Sequence, residues 1–194
     1  MSTGPSASDV ASEGNTLNYI FSQLLGNLFF IDIVRVEAIQ DELLTVRSLL
    51  PGIFNAGEPV QRQSTGRVPF LRLQGGDSAV IMDPRVGDIG LMAVCDKDIS
   101  DVKKTRTDAL PASLRRHDAA DGIYLTGISL LNSPPAQYVR FDPSGIEIKS
   151  PGTVTINGLT IHPDGRLQLV NGVIVDTHIH DGVEPGNGKT GRPQ

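Results

Sequence analysis

A chain of 194 residues, 39% hydrophobic and 20% charged, is a folded chain rather than a disordered one, with room for one large domain or two small ones. Its 21 glycines and 13 prolines, beside few helix-friendly runs, favour a β-rich fold with many turns. A net charge of −5, scarce aromatics and no Trp argue against general nucleic-acid binding, and a single cysteine, Cys95, excludes an intrachain disulfide.

Residues 1–15 are small and polar and read as a flexible leader. They lack the basic n-region of a secretory signal, so synthesis in the cytoplasm is expected. The apolar stretch that follows is broken by Asn18, Gln23, Asn27 and Asp32 and is too short and mixed to span a bilayer. Within it, Leu17, Ile20, Phe21, Leu24, Leu25 and Leu28 fall on one stripe and predict a helix over 16–28. That face must be buried, against its own domain or on a partner.

From residue 30 the pattern turns to strands. Runs over 30–39 and 43–50 are apolar and β-branched, and Gln40-Asp-Glu42 between them predicts a hairpin. Residues 51–65 read as a loop broken by Pro51, Gly52, Gly57 and Pro59. Further strands are expected over 68–73, 86–95 and 123–125, with a polar, charged connection over 96–121 that holds short helices. Cys95 closes the apolar run from Ile89 and is expected as a small buried hydrophobe. Five or so strands, with a helix-bearing connection before the last, fit a small closed Greek-key barrel such as the OB-fold. The chain thus divides into a leader with a docking helix (1–29), a barrel (30–131) and a repetitive remainder (132–194).

The remainder alternates tight turns with short strands. Asp142-Pro-Ser-Gly145, Pro151-Gly152, Asn157-Gly158, Pro163-Asp-Gly165 and Asn171-Gly172 each precede three to five alternating residues. Ile146/Ile148, Val154/Ile156, Leu159/Ile161, Leu167/Leu169 and Val173/Val175 form an apolar ladder. Strands this short are a poor core for a monomer; such repeats need stacking or intertwining. Three chains wound about one axis place the ladder inside and the polar positions outside. The pair His178 and His180, in Asp176-Thr-His-Ile-His180-Asp-Gly182, asks for the same symmetry. In an extended chain, residues i and i+2 share a face, so both imidazoles aim at one point. Two from each of three chains give an octahedral transition-metal site. The two histidines share parity with Ile174 and Asp176 rather than with Val173 and Val175, so either the register shifts near Asp176 or the wall is apolar on both faces.

These elements resemble a known family, the central spike proteins at the baseplate of contractile-tail phages and phage-like bacteriocins. The resemblance runs through Gly87-Asp-Ile-Gly-Leu-Met-Ala-Val-Cys-Asp-Lys-Asp-Ile-Ser100, Ser113-Leu-Arg-Arg-His-Asp118 with Asp121, Leu125-Thr-Gly127, the ladder, and the Gly- and Pro-rich stretch from Asp176 to Gly191. It implies a mainly β chain: an N-terminal OB-fold domain that seats a homotrimer on the tail hub, followed by an intertwined trimeric β-helix with a metal-capped apex. One iron ion per trimer would be held octahedrally by His178 and His180 of three chains. The implied role is mechanical, the puncture of a target bacterium's outer membrane on sheath contraction, so the particle acts at the target envelope. Six nitrogens suit iron(II), nickel or cobalt better than zinc, and such a site is closed to substrate.

Other candidates carry less. Arg115-Arg116-His117 with Lys103-Lys104 is a basic cluster without interleaved aromatics, expected as a solvated face or an intersubunit salt bridge. His162 reads as a turn residue, and Asp83, Asp88, Asp96 and Asp98 show no calcium-loop pattern. Nothing resembles a catalytic constellation, so no enzyme is expected. The alternatives are a trimeric adhesin or receptor-binding fibre, and a mononuclear metalloenzyme in which Asp176, Asp181 or Glu184 joins the histidines.

Overall fold

The helical stripe folds as α1 over Glu13–Gly26, with Leu17, Ile20 and Phe21 exposed. The computed structural model describes residues 13–26, 28–53, 59–60, 62–179, 182 and 186. Among them, no helix is long and apolar enough to cross a membrane. The fold is mainly β and divides into two compact units, Met1–Ser133 and Pro134–Gln194.

In the first unit, β1 (Ile31–Gln40) and β2 (Leu43–Ser48) form the expected hairpin. Asp41 and Glu42 both take positive φ, 51° and 59°, the two-residue turn that matches strand twist. Asp32, Val34 and Val36 face inward from β1, as Leu44 and Val46 do from β2. The register shifts between Val36 and Ala38, a bulge at Glu37. The Glu37 carboxylate pairs with Arg47 and accepts from the Ser64 hydroxyl.

Residues 51–65, read as one loop, contain β3 (Gly52–Ile53) and β4 (Pro59–Val60), paired with each other. β5 (Thr65–Val68) pairs with β2. A further hairpin joins β6 (Leu73–Gly75) and β7 (Ser78–Val80). Then come β8 (Ile89–Val94), α2 (Ser100–Thr105), a 3-10 turn at Ala119–Asp121 and β9 (Gly122–Gly127). Cys95 is only half-buried, because it lies one residue past the end of β8.

The main sheet has the order β5-β2-β1-β8-β9. Its two edges meet through a parallel bridge between Phe70 and Tyr124, where Tyr124 N–H donates to Pro69 O and Leu71 N–H donates to Tyr124 O. The enclosed core takes at least one side chain from every strand of the sheet: Val34, Val36, Leu44, Val46, Val68, Met92 and Tyr124. Full burial of such side chains stabilises the unit by roughly 1.5–3 kcal/mol each. Tyr124 also explains Gly90: a Cβ there would run into the Tyr124 hydroxyl and the Thr126 carbonyl.

The second unit is a run of local pairings. β10 (Tyr138–Asp142) and β11 (Gly145–Lys149) form one hairpin. β12 (Val154–Ile156), β13 (Leu159–Ile161) and β14 (Leu167–Gln168) form a three-stranded sheet. Asn157 and Gly158 turn β12 into β13 with φ of 47° and 90°, as the Asn-Gly pair predicts. Side-chain oxygens of Asp142, Asp164 and Asn171 each accept the backbone N–H two residues on, the same local brace three times. None of the described residues of this unit is buried. Phe141 is 75% exposed and Ile146 66%.

Candidate functional site

The approach to the histidines is built by the last Asn-Gly turn. Gly172 N–H donates to Leu169 O and Leu169 N–H to Val173 O, while the Asn171 side chain accepts Val173 N–H. A bridge between Gln168 and Ile174 holds the returning chain. A 3-10 turn over Val175–Thr177 then breaks the extended run, with Thr177 N–H donating to Ile174 O. His178 resumes extended backbone at φ −69°, ψ 146°. The alternation is therefore not continuous through residues 175–177, and the facing of His178 is not inherited from Ile174.

The exposed His178 ring has Nδ1 2.6 Å from the Val175 carbonyl oxygen. A carbonyl oxygen only accepts, so Nδ1 carries a proton, and in the neutral imidazole that leaves the lone pair on Nε2. Metal-binding imidazoles are commonly oriented in this way, by donating the second ring N–H to a backbone carbonyl. The donor chemistry at His178 thus fits a metal ligand. His180, Asp181 and Glu184 lie outside the described residues, and Asp176 is exposed in the 3-10 turn. Among the described residues of the single chain, no three His, Cys, Asp or Glu side chains converge on one point.

Within the basic cluster over 115–117, Arg115 turns to buried carboxylates of its own chain, while Arg116 stays exposed beside Asp96. The fully buried Asp121 accepts from Arg115 Nε at 2.7 Å and Nη2 at 2.9 Å; Nη2 also reaches Asp98 at 2.7 Å and the Ser100 hydroxyl at 2.8 Å. Asp121 further accepts Ile99 N–H, and Asp98 accepts Ser113 Oγ–H. The Ser100 hydroxyl and N–H, then Ser113, with Arg115 alongside, hold the Asp98 carboxyl down to about 2. The Arg115 hydrogen bonds likewise lower Asp121. This network ties the start of the long connection between β8 and β9 to its end. Sequence spacing gave no sign of it, since its partners come from positions 98, 100, 113, 115 and 121 of an irregular segment.

The remaining candidates are structural in their contacts. His117 Nε2 lies 3.1 Å from Asp96, and its ring packs on Phe30 at 4.4 Å between centroids. His162 Nε2 contacts Gln168 Oε1 at 2.9 Å across the turn into β14. Asp83 pairs with Arg72, Asp88 accepts Arg85 N–H, and Asp96 also faces Arg116. Burial raises the Cys95 thiol above its ordinary range, as expected of a packed rather than a reactive cysteine.

No curated protein matches the chain. Residues 172–194 match the family model described as the GpV apex motif, a stretch that opens at the last Asn-Gly turn and includes both His178 and His180. The end of the chain therefore carries the apex motif of a phage central spike.

Proposed function

We propose that the chain is the central spike of a contractile phage tail or phage-like particle, and that it acts mechanically rather than catalytically. The observation that carries this reading is the apex motif at residues 172–194, set at the end of a strand ladder in which no described residue is buried. A ladder of this kind needs other copies of itself to cover its apolar side chains. A homotrimer wound as a β-helix would do so. The sheet order and the Phe70–Tyr124 bridge support an OB-fold for the first unit, which would seat the trimer on the tail hub. The exposed apolar residues of α1 suit docking on that hub.

At the tip, His178 and His180 of three chains would hold one iron ion. Bound there, the metal supplies a cross-link closed to substrate, and its binding energy adds to the stability of the ordered tip. The Val175 carbonyl would fix the His178 ring so that Nε2 faces the metal. A tip joined in this way suits a point driven through an outer membrane. The test is metal content by mass spectrometry alongside mass in solution. One iron per three chains is expected, and loss of the metal in His178→Ala with His180→Ala while the trimer persists. A monomer with one metal per chain would overturn the reading.

A further inference from the structure

A cleft of about 330 Å³ opens in the first unit between β5, α2 and the connection that follows α2. Arg67, Lys103, Lys104 and Arg115 line it, on a chain whose net charge is −5. Their charges are unevenly matched. Arg115 is engaged through Nε and Nη2 by Asp98 and Asp121 and forms a fixed wall. Lys103 donates one hydrogen bond, to Ala120 O at 2.8 Å, and two of its three donors remain for other acceptors. Neither Arg67 nor Lys104 has a carboxylate within ion-pair distance among the described residues.

The cations also crowd one another. Burial lowers the Lys103 pKa, Asp121 opposes that, and Arg115 and Arg67 press it down further. Arg67 is held at φ 60°, a left-handed backbone that is unfavourable for a residue with a side chain and that persists where surroundings impose it. An anion in the cleft would relieve the repulsion and meet the unused donors. The cleft adjoins β2 and β5 and the β8–β9 connection, which on the OB-type reading proposed above is the face where such barrels carry ligands.

We propose that this cleft binds a phosphate-type oxoanion, held between the Arg67 guanidinium and the Lys103 and Lys104 ammonium groups. The ligand is either free phosphate or a phosphate ester on a saccharide. The site stands on the cleft's own residues, so its failure would leave the iron count at the apex untouched.

Titration calorimetry on the full chain at low ionic strength tests this, using inorganic phosphate, glucose 6-phosphate and, as a neutral blank, glucose. Saturable binding of phosphate is expected, and none of glucose. Arg67→Gln combined with Lys104→Gln should weaken it roughly tenfold or more, the loss of charge-assisted hydrogen bonds from two donors. Arg85→Gln with Lys149→Gln removes equal charge outside the cleft and should leave binding unchanged. Should the Arg67 substitution disturb folding, the single reversal Lys104→Glu at an exposed side chain gives the same test. Tighter binding of the ester than of free phosphate would assign the saccharide source, and the reverse would assign free phosphate. No saturable phosphate binding, or an equal loss in both charge-removal variants, would overturn the proposal.

Discussion

The two units use the same secondary structure to opposite effect. In the first, strands far apart in the chain pair, Arg35 with Ile89 and Gly90 with Gly127, and the sheet's edges meet around a core in which Leu44 and Val68 are 0% exposed. In the second, each strand pairs only with its neighbour in sequence, and no described residue is buried. Turn chemistry and alternation are enough to make strands. Burying a face needs a second layer, which the first unit supplies from its own chain and the second does not.

The sharpest way to break that comparison is to cut into each apolar set in turn. Leu44→Ala should lower the stability of the first unit by about 2–5 kcal/mol, measured by urea unfolding. Ile146→Ala should leave that transition unmoved and show itself in the mass of the assembled particle, since Ile146 packs on nothing buried in its own chain. Equal effects of the two on the urea transition would dissolve the distinction.

The polar fastening of the first unit gives the next effect. Arg115→Met leaves the buried Asp121 without its bidentate partner and should cost roughly 2–3 kcal/mol, below the usual range for breaking buried pairs because Arg115 is itself a third exposed. The same network fixes a pH window. Asp98 and Asp121 have carboxyl groups depressed in the folded state, so the stability they lend is present above the unfolded value near 4 and lost as pH falls through the folded value, about 2 for Asp98. The melting temperature of the first unit should drop across that interval, and by less in Arg115→Met. The smallest change is local to the second unit. Asn171→Ala removes the acceptor for Val173 N–H and should loosen the approach to His178 by about 1 kcal/mol or less, seen as faster amide exchange over residues 172–177.

What was legible in the sequence was what is local. The hairpin at Asp41-Glu42 and the turn at Asn157-Gly158 follow from the residues that occupy them, and the stripe from Leu17 to Leu25 announced α1. β3, β4, β6 and β7 were missed because two- or three-residue strands carry no alternation to read. Arg115 read as part of a basic surface because its partners, Asp98 and Asp121, come together only once the connection around α2 has folded. The histidine pair reads as a type of ligand, and both residues fall inside the matched apex motif. The parity of His178 with Ile174 rests on one extended run, which the 3-10 turn at Val175–Thr177 interrupts, whereas the shared facing of His178 and His180 falls beyond that turn, with His180 outside the described residues.

Short-range pairing in the second unit also has a kinetic side. Tyr138 meets Lys149, and Val154 meets Ile161, across loops that close in well under a millisecond. In the proposed trimer, a newly made chain would hold its hairpins early and then wait for two others. The rate at which the wound trimer appears on refolding would climb with protein concentration, whereas the first unit, whose long-range pairings lie within one chain, would form at a rate independent of it.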